Sequence, residues 1–299
     1  MNELRASIDI GSNTTLLLAG IVKNGKLENE LLNLSTVTSL GAKLDQTKKF
    51  QNESMDATFE ALKNYLSECE KLGIHKNDIL ITATEASRVA TNAPEFFAKI
   101  FQELGLKVEV ISGEKEAELT TKGVLSDLKT KDLYSIIMDI GGASTELIHY
   151  GHQENKILES YSFKVGAVRY YDWMAENNVT TKCSLLGLDR ISHFRKNKII
   201  AVAGTMTALA AVYLNLKEFD EQKINGMKLT ISHLRMLSLA ISKTTEEEMV
   251  KHYPYLGKRA KTLYAGSLVA ILFAEHADVE EFEISTRGLR YGTLIHGIN

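Results

Sequence analysis

Residues that break or cross-link a fold are scarce in this chain. Of 299 residues only two are proline (Pro94 and Pro254), two are cysteine (Cys69 and Cys183) and one is tryptophan. With so little proline and no low-complexity run, no flexible linker stands out. Two cysteines far apart in sequence build neither a disulfide framework nor a four-cysteine zinc site, and the usage fits a reducing cytoplasm. Charge of one sign is also lacking: 35 basic side chains face 38 acidic ones, for a net charge of −3. That excludes a chain-wide basic field for gripping nucleic acid or a membrane surface, so any polyanion must be held at a local site. The longest apolar stretch, Leu263 to Ala274, is too short to span a bilayer, and no apolar signal segment follows Met1. A soluble cytoplasmic protein with no nucleic-acid and no membrane partner is expected.

What is present is ordinary globular material: 44% apolar and 24% charged residues, enough for a full core. Strand-like and helix-like segments alternate, which predicts an α/β protein. Strands are expected at 5–10, 16–22, 27–34, 79–82 and 107–111, then at 133–138, 145–150, 157–163, 198–202 and 282–284. The clearest helix spans about 54–72. Its apolar positions Met55, Phe59, Leu62, Leu66 and Cys69 step by four and three, with Ser54 as cap and Gly73 as stop. Cys69 falls on the apolar face and reads as a buried thiol. Further helices are expected at 93–104, from 113 to about 128, in two stretches over 166–195, from Thr205, and through most of 229–275, where Thr245-Glu-Glu-Glu248 resembles a capping box.

One pattern occurs twice. Ile8-Asp-Ile-Gly-Ser-Asn-Thr-Thr-Leu16 matches Met138-Asp-Ile-Gly-Gly-Ala-Ser-Thr-Glu146 in its Asp-Ile-Gly, its small or polar pair and its hydroxyl pair. A single Asp-x-Gly turn is an ordinary hairpin. Two copies nearly half a chain apart, each at a strand end, point instead to a duplicated phosphate turn. Glycine lets the backbone approach a ligand so that successive N–H groups face phosphoryl oxygens. Ser12, Asn13 and Thr14 line the first turn, beside Thr15; Gly141, Gly142, Ala143, Ser144 and Thr145 line the second, with side-chain hydroxyls and amide as added donors. Asp9 and Asp139 would be repelled by a bare phosphate, but suit a hydrated Mg²⁺ bridging carboxylate and phosphate.

The two motifs resemble the paired phosphate loops of the actin, Hsp70 and sugar kinase superfamily. The variant seen here is similar to the exopolyphosphatase / guanosine pentaphosphate phosphohydrolase family, over essentially the whole chain. Ile111-Ser-Gly-Glu-Lys-Glu-Ala117 resembles that family's catalytic glutamate segment, and Thr84-Glu-Ala-Ser-Arg88 its arginine segment. Val165-Gly-Ala-Val-Arg169, Ala203-Gly-Thr-Met-Thr-Ala-Leu209 and Arg287-Gly-Leu-Arg-Tyr-Gly292 stand where its later motifs fall. Two departures are visible: Ala143 replaces a glycine of the second loop, and Tyr291 stands where a glutamate is common.

The resemblance implies a two-domain, actin-like (ribonuclease H-like) α/β fold with a cleft between the domains. The first domain is expected over 1–124, the second over 125–286, and a final helix at about 287–299 returns to the first. It implies an exopolyphosphatase that releases orthophosphate from the end of inorganic polyphosphate, or the same chemistry on guanosine pentaphosphate. More distant readings are a small-molecule kinase and a non-catalytic nucleotide-binding module. Glu116 is implied as the general base, near a helix start whose dipole favours an ionised carboxylate. Glu146 and Asp139 are its catalytic partners, and Asp9 with Asp139 are the Mg²⁺ ligands. Arg88, at a loop after a strand, is implied to contact phosphate, its guanidinium fork matching phosphoryl oxygens. Gly204 and Thr205, at a strand-to-helix junction, are implied to hold a nucleoside or the next phosphate. His149 and His152 are too poorly spaced for a metal, and the cluster Lys258, Arg259 and Lys261 reads as a solvated helix face. A homodimer is left open.

Overall fold

The structure is a computed structural model that describes residues 2–194 and 198–298. Met1 and the expected helix ends at 195 and 299 lie outside the described residues. Three antiparallel strands come first: β1 (Asn2–Ile10), β2 (Thr14–Lys23) and β3 (Lys26–Val37). They are followed by α1 (Leu44–Thr47), α2 (Asn52–Lys71), β4 (Ile79–Ala83), α3 (Glu85–Val89), α4 (Ala93–Leu104), β5 (Val108–Val110) and α5 (Gly113–Leu125). β4 lies parallel to β1 and β5 parallel to β4, giving the order β3-β2-β1-β4-β5.

The grammar then repeats with β6 (Tyr134–Ile140), β7 (Thr145–Gly151), β8 (Lys156–Phe163), α6 (Ala167–Ala175), α7 (Val179–Ser184), β9 (Lys198–Val202) and α8 (Ala203–Tyr213). α9 (Glu221–Ile224), β10 (Lys228–Thr230), α10 (Ile231–Ile241), α11 (Glu246–His252), α12 (Ala260–Ala277) and β11 (Glu281–Ile284) complete this part, and α13 (Leu289–His296) ends the chain. The second sheet has the order β10-β11-β9-β6-β7-β8. Read from β8, its first five strands follow the connectivity of the first sheet. The chain divides into two compact units, Met1–Lys129 with Arg287–Asn299, and Thr130–Thr286. Among the described residues no helix is long and apolar enough to cross a membrane.

Strand alternation decides which face each motif residue takes. In β1, Ala6, Ile8 and Ile10 pack with Leu62, Tyr65 and Cys69 of α2 and Phe96 and Ile100 of α4. Ser7 and Asp9 therefore take the opposite face, where Leu18 and Val22 of β2 pack on Tyr291 and Leu294 of α13. The Ser7 hydroxyl confirms the direction by donating to the Arg290 carbonyl of α13 at 2.7 Å. In β6, Ile136, Met138 and Ile140 join the core built with Met206 and Leu209 of α8 and Phe273 of α12. Asp139 is consequently turned to the other face.

Three local expectations are corrected. Ser54 does not cap α2; the helix starts at Asn52 after an extended Gln51, and the Ser54 hydroxyl donates to the Ser39 carbonyl instead. Residues 85–89 form the short helix α3 rather than a loop. α8 starts at Ala203, two residues before Thr205. The Gly73 stop, at φ 79°, and the Thr245/Glu248 capping box are both present, and Cys69 is fully buried.

Candidate active site

Both Asp-Ile-Gly turns close in the same way. The Gly11 N–H donates to the Thr14 carbonyl and the Gly141 N–H to the Ser144 carbonyl, each at 3.0 Å. A Cβ at Gly11 would stand 3.1 Å from that Thr14 oxygen, and one at Gly141 3.2 Å from the Ser144 oxygen. Each turn is thus too tight for an unstrained side chain, which is why glycine recurs there.

Each loop is also gripped from behind by the segment that follows its third strand. In the first, the Ser12 carbonyl accepts from Gly41 N at 2.7 Å, and the Asn13 carbonyl from Thr38 N at 3.0 Å and Ser39 N at 2.9 Å. In the second, the Gly141 carbonyl accepts from Ala167 N at 3.0 Å, and the Gly142 carbonyl from Val168 N at 2.9 Å and Arg169 N at 3.1 Å. The Ala143 carbonyl accepts from the Arg169 guanidinium. Close approach needs glycine in both anchors. A Cβ at Gly41 would lie 2.9 Å from Ser12 Cβ, and one at Gly166 2.6 Å from the Gly141 oxygen.

The hydroxyls do not all face outward. Thr15 is fully buried, its Oγ1 3.2 Å from Thr38 Oγ1. Thr145, at the matching position of the second loop, is fully buried too and donates to the Val165 carbonyl at 2.6 Å. The hydroxyl expected to donate to phosphate here donates to Val165 instead and fixes the loop to the segment that follows β8. Asn13 and Thr14 are half-buried, while Ser12, Ala143 and Ser144 are buried.

The carboxylates differ between the units. In β1, Asp9 sits in register with Leu16 of β2 and Thr82 of β4. Its Oδ1 is buried without a hydrogen-bond partner. Burial pushes the Asp9 carboxyl from an ordinary 3.8 up to about 7, against the pull of the Arg290 charge on α13. The Arg290 Nε is likewise buried without a hydrogen-bond partner. In β6, Asp139 sits opposite Glu146 of β7, so two acidic side chains share one face of the second sheet. Glu146 is buried and accepts from the Ser162 hydroxyl at 2.7 Å. An orphaned carboxylate oxygen in one unit and a facing acidic pair in the other are donor sets that fit a hard cation such as Mg²⁺.

Glu116 is buried in the first turns of α5, a helix capped by the Ser112 hydroxyl accepting from Lys115 N. Arg88, on α3, reaches it: Nη1 stands 3.0 Å from Glu116 Oε2 and 2.7 Å from the Ile111 carbonyl. The structure therefore joins two residues expected to act separately, and the guanidinium expected on phosphate is here engaged by the glutamate. In the second unit Gly204 and Thr205 lie inside the first turn of α8, after an Ala203 held at φ 69°. A Cβ at Gly204 would meet the Arg259 guanidinium at 2.7 Å, and the Thr205 methyl packs against Gly266 of α12. Arg259 thus leaves its expected solvated face and covers this turn.

Three residues of the site were not foreseen individually: Arg290 near Asp9, Arg169 behind the second loop, and Arg259 over Gly204. All three stand in recognisable basic or glycine-containing motifs. Nothing in their spacing, however, says which loop each will touch.

Two sheets that share one strand order, each opening on an Asp-Ile-Gly turn anchored from behind, define a duplicated α/β protein with the architecture expected from the actin-like resemblance. The chain belongs to the Ppx/GppA phosphatase family, which its residues 21–298 match. A bifunctional 3-dehydroquinate synthase/phosphatase of Fusobacterium nucleatum is 30% identical over 317 residues, covering 99% of this chain and 47% of its own. The chain thus spans about half the length of that relative. Exopolyphosphatase 2 of Mycobacterium tuberculosis is 26% identical, with 97% of each chain covered. The crystal structure of the Aquifex aeolicus Ppx/GppA family member aligns with a TM-score of 0.76 at 30% identity, covering 99% of this chain and 97% of that one.

Proposed function

We propose that the chain is a phosphoanhydride hydrolase that removes orthophosphate from the end of inorganic polyphosphate. The observation that carries the reading is the duplicated glycine turn, whose carbonyls are tied back by their anchor segments. In a trans peptide the N–H opposes the preceding carbonyl, so both loops turn N–H groups away from their anchors. Such donors suit phosphoryl oxygens. The loop donors hold the phosphates, and the chain's remaining task is to supply a base and orient a water.

Glu116 is the proposed base. Arg88 Nη1, 3.0 Å from its Oε2, fixes where the carboxylate that accepts the proton stands. Water attacks the terminal phosphorus, its proton passes to Glu116, and the bridging P–O bond breaks to release a polyphosphate shorter by one unit. An arriving phosphate competes for the Arg88 fork and draws it from Glu116. Glu146, held by Ser162, is proposed to order water beside Asp139. Asp9 and Asp139 are the carboxylates proposed to hold Mg²⁺, which would neutralise charge on the phosphates.

Support for polyphosphate comes from the Mycobacterium relative, which is matched over 97% of its length and is named Exopolyphosphatase 2. A phosphate-release assay comparing tripolyphosphate, long polyphosphate, guanosine pentaphosphate and ATP tests the reading. Preferred release from either polyphosphate supports it. Preference for guanosine pentaphosphate transfers the same chemistry to that nucleotide, and release from none of the four refutes it.

A further inference from the structure

The two loops solve the same problem with different donors. In the first, the Asn13 carbonyl is held by two main-chain groups, Thr38 N and Ser39 N. At the matching place in the second, the Ala143 carbonyl is held by a side chain, the guanidinium of Arg169. Arg169 is buried, 7% exposed, in the first turn of α6. We infer that Arg169 is a positioning residue that orients the last peptide of the second phosphate loop and so completes its row of outward N–H donors.

The inference follows from peptide geometry. No peptide bond in the described chain is cis, so each carbonyl turned toward α6 sends the next N–H the other way. The carbonyls of Gly141 and Gly142 are held by main-chain donors of residues 167–169, which directs the N–H groups of Gly142 and Ala143 outward. Only the third peptide, Ala143 to Ser144, depends on a side chain. Among the described residues none of these three N–H groups donates to a backbone carbonyl. Three consecutive outward donors form an anion-binding nest, and two form a poorer one. The buried guanidinium also adds positive charge directly behind the loop.

A merely structural arginine would behave otherwise. Exchanging a buried charge for an apolar side chain of similar size is often neutral or stabilising, so a packing role leaves loop order and anion binding untouched. The ligand part of this inference rests on the proposed function; the loop-order part does not.

The test compares wild type with Arg169→Met, Arg169→Gln and Arg169→Lys in the full chain. Amide ¹⁵N order parameters at Ala143 and Ser144 are measured without ligand, alongside melting temperature and tripolyphosphate binding with Mg²⁺. In Arg169→Met the Ser144 order parameter is expected to fall from about 0.85 toward 0.6 or below, while residues 136–140 stay rigid. The tripolyphosphate Kd should rise at least about tenfold, as for loss of a charge-assisted hydrogen bond. Arg169→Gln, which keeps a donor without the charge, and Arg169→Lys should each recover part of the loop order. Unchanged order at Ser144 in all three variants overturns the inference, as does a loss of order spread evenly through the second unit. If Arg169→Met does not fold, the Gln and Lys variants decide by the same criteria. A wild-type chain that binds no tripolyphosphate refutes the proposed function, and the ligand-free order parameters still decide the role of Arg169.

Discussion

Arg88 Nη1 lies 3.0 Å from Glu116 Oε2 and 2.7 Å from the Ile111 carbonyl, so one guanidinium nitrogen ties α3 to the start of α5. The two side chains are 26% and 11% exposed, shielded enough for the pair to hold its geometry and open enough for a ligand to reach the arginine. In this arrangement the arginine supports the proposed base; in the proposed reaction an arriving phosphate would claim the fork and free the carboxylate beside it.

Replacing Glu116 by Gln removes the proton acceptor and keeps the shape. Phosphate release should fall by about 10²–10⁴-fold in kcat, the range for a lost general base. Stability should drop only slightly, by under about 1 kcal/mol, because Arg88 is partly exposed and water replaces much of its lost charged partner. Single-turnover phosphate release and urea unfolding check the two parts. Wild-type turnover would move the base elsewhere, with Glu146 next to test. Arg88→Met should show a different split, raising KM more than it lowers kcat.

Asp9 gives a pH signature. Its carboxyl stands at about 7 in the folded chain against 3.8 ordinarily, so folding takes up a proton between those values. The contribution to stability is full below about pH 4 and is lost as pH rises through about 7. Without metal, Asp9→Asn should therefore be more stable than wild type at pH 8, by about 2–4 kcal/mol, and indistinguishable from it near pH 4. Mg²⁺ should raise the wild-type melting temperature more at pH 8 than at pH 5 and should leave Asp9→Asn unmoved. Calorimetry across pH with and without Mg²⁺ reads all of this. Equal Mg²⁺ stabilisation of the variant would remove Asp9 from the metal role.

Much of this was legible in the sequence, for physical reasons. The strands over 5–10 and 133–138 were legible, and in the structure their alternation puts Ile8 and Ile10 in a core and turns Asp9 to the other face, as it does Asp139. The twin glycine turns were readable because the tightness of the turn demands glycine wherever it recurs. Hydroxyl direction was not readable: Thr145 looks like a ligand donor until the Val165 carbonyl is found 2.6 Å away. Pairings across elements were also hidden. Arg88 and Glu116 stand 28 residues apart, and only the lateral pairing of β4 with β5 brings their following helices together. Arg169 and Ala143 meet because β7 and β8 fold back, a juxtaposition without a periodic trace.

The second-loop anchor has its own test in Gly166→Ala. The added Cβ would stand 2.6 Å from the Gly141 oxygen and from the Gly142 carbonyl carbon. Both are backbone, so the loop must shift away from α6. Anion binding should weaken with KM raised at least about tenfold, while circular dichroism remains that of a folded chain. Unaltered kinetics would show that the loop tolerates displacement and does not need its anchor.

The last expectation concerns the crossing of α5 and α13, the helices that carry Glu116 and Arg290. A Cβ at Gly292 would stand 1.8 Å from the Leu119 oxygen and 3.1 Å from Gly123 N; one at Gly123 would stand 2.1 Å from the Gly288 oxygen. Neither contact can be relieved by a side-chain rotation, because every neighbour is backbone. Gly292→Ala must therefore lift α13 from α5, at a cost of about 1–3 kcal/mol or more. Arg290 rides on α13, and its charge opposes the burial that raises the Asp9 carboxyl. Moving it away should push that carboxyl above its present value of about 7, so the pH at which Mg²⁺ begins to stabilise the chain should rise. A lower melting temperature with an unshifted Mg²⁺ pH profile would mean that the helix crossing stabilises the fold without setting the Asp9 field.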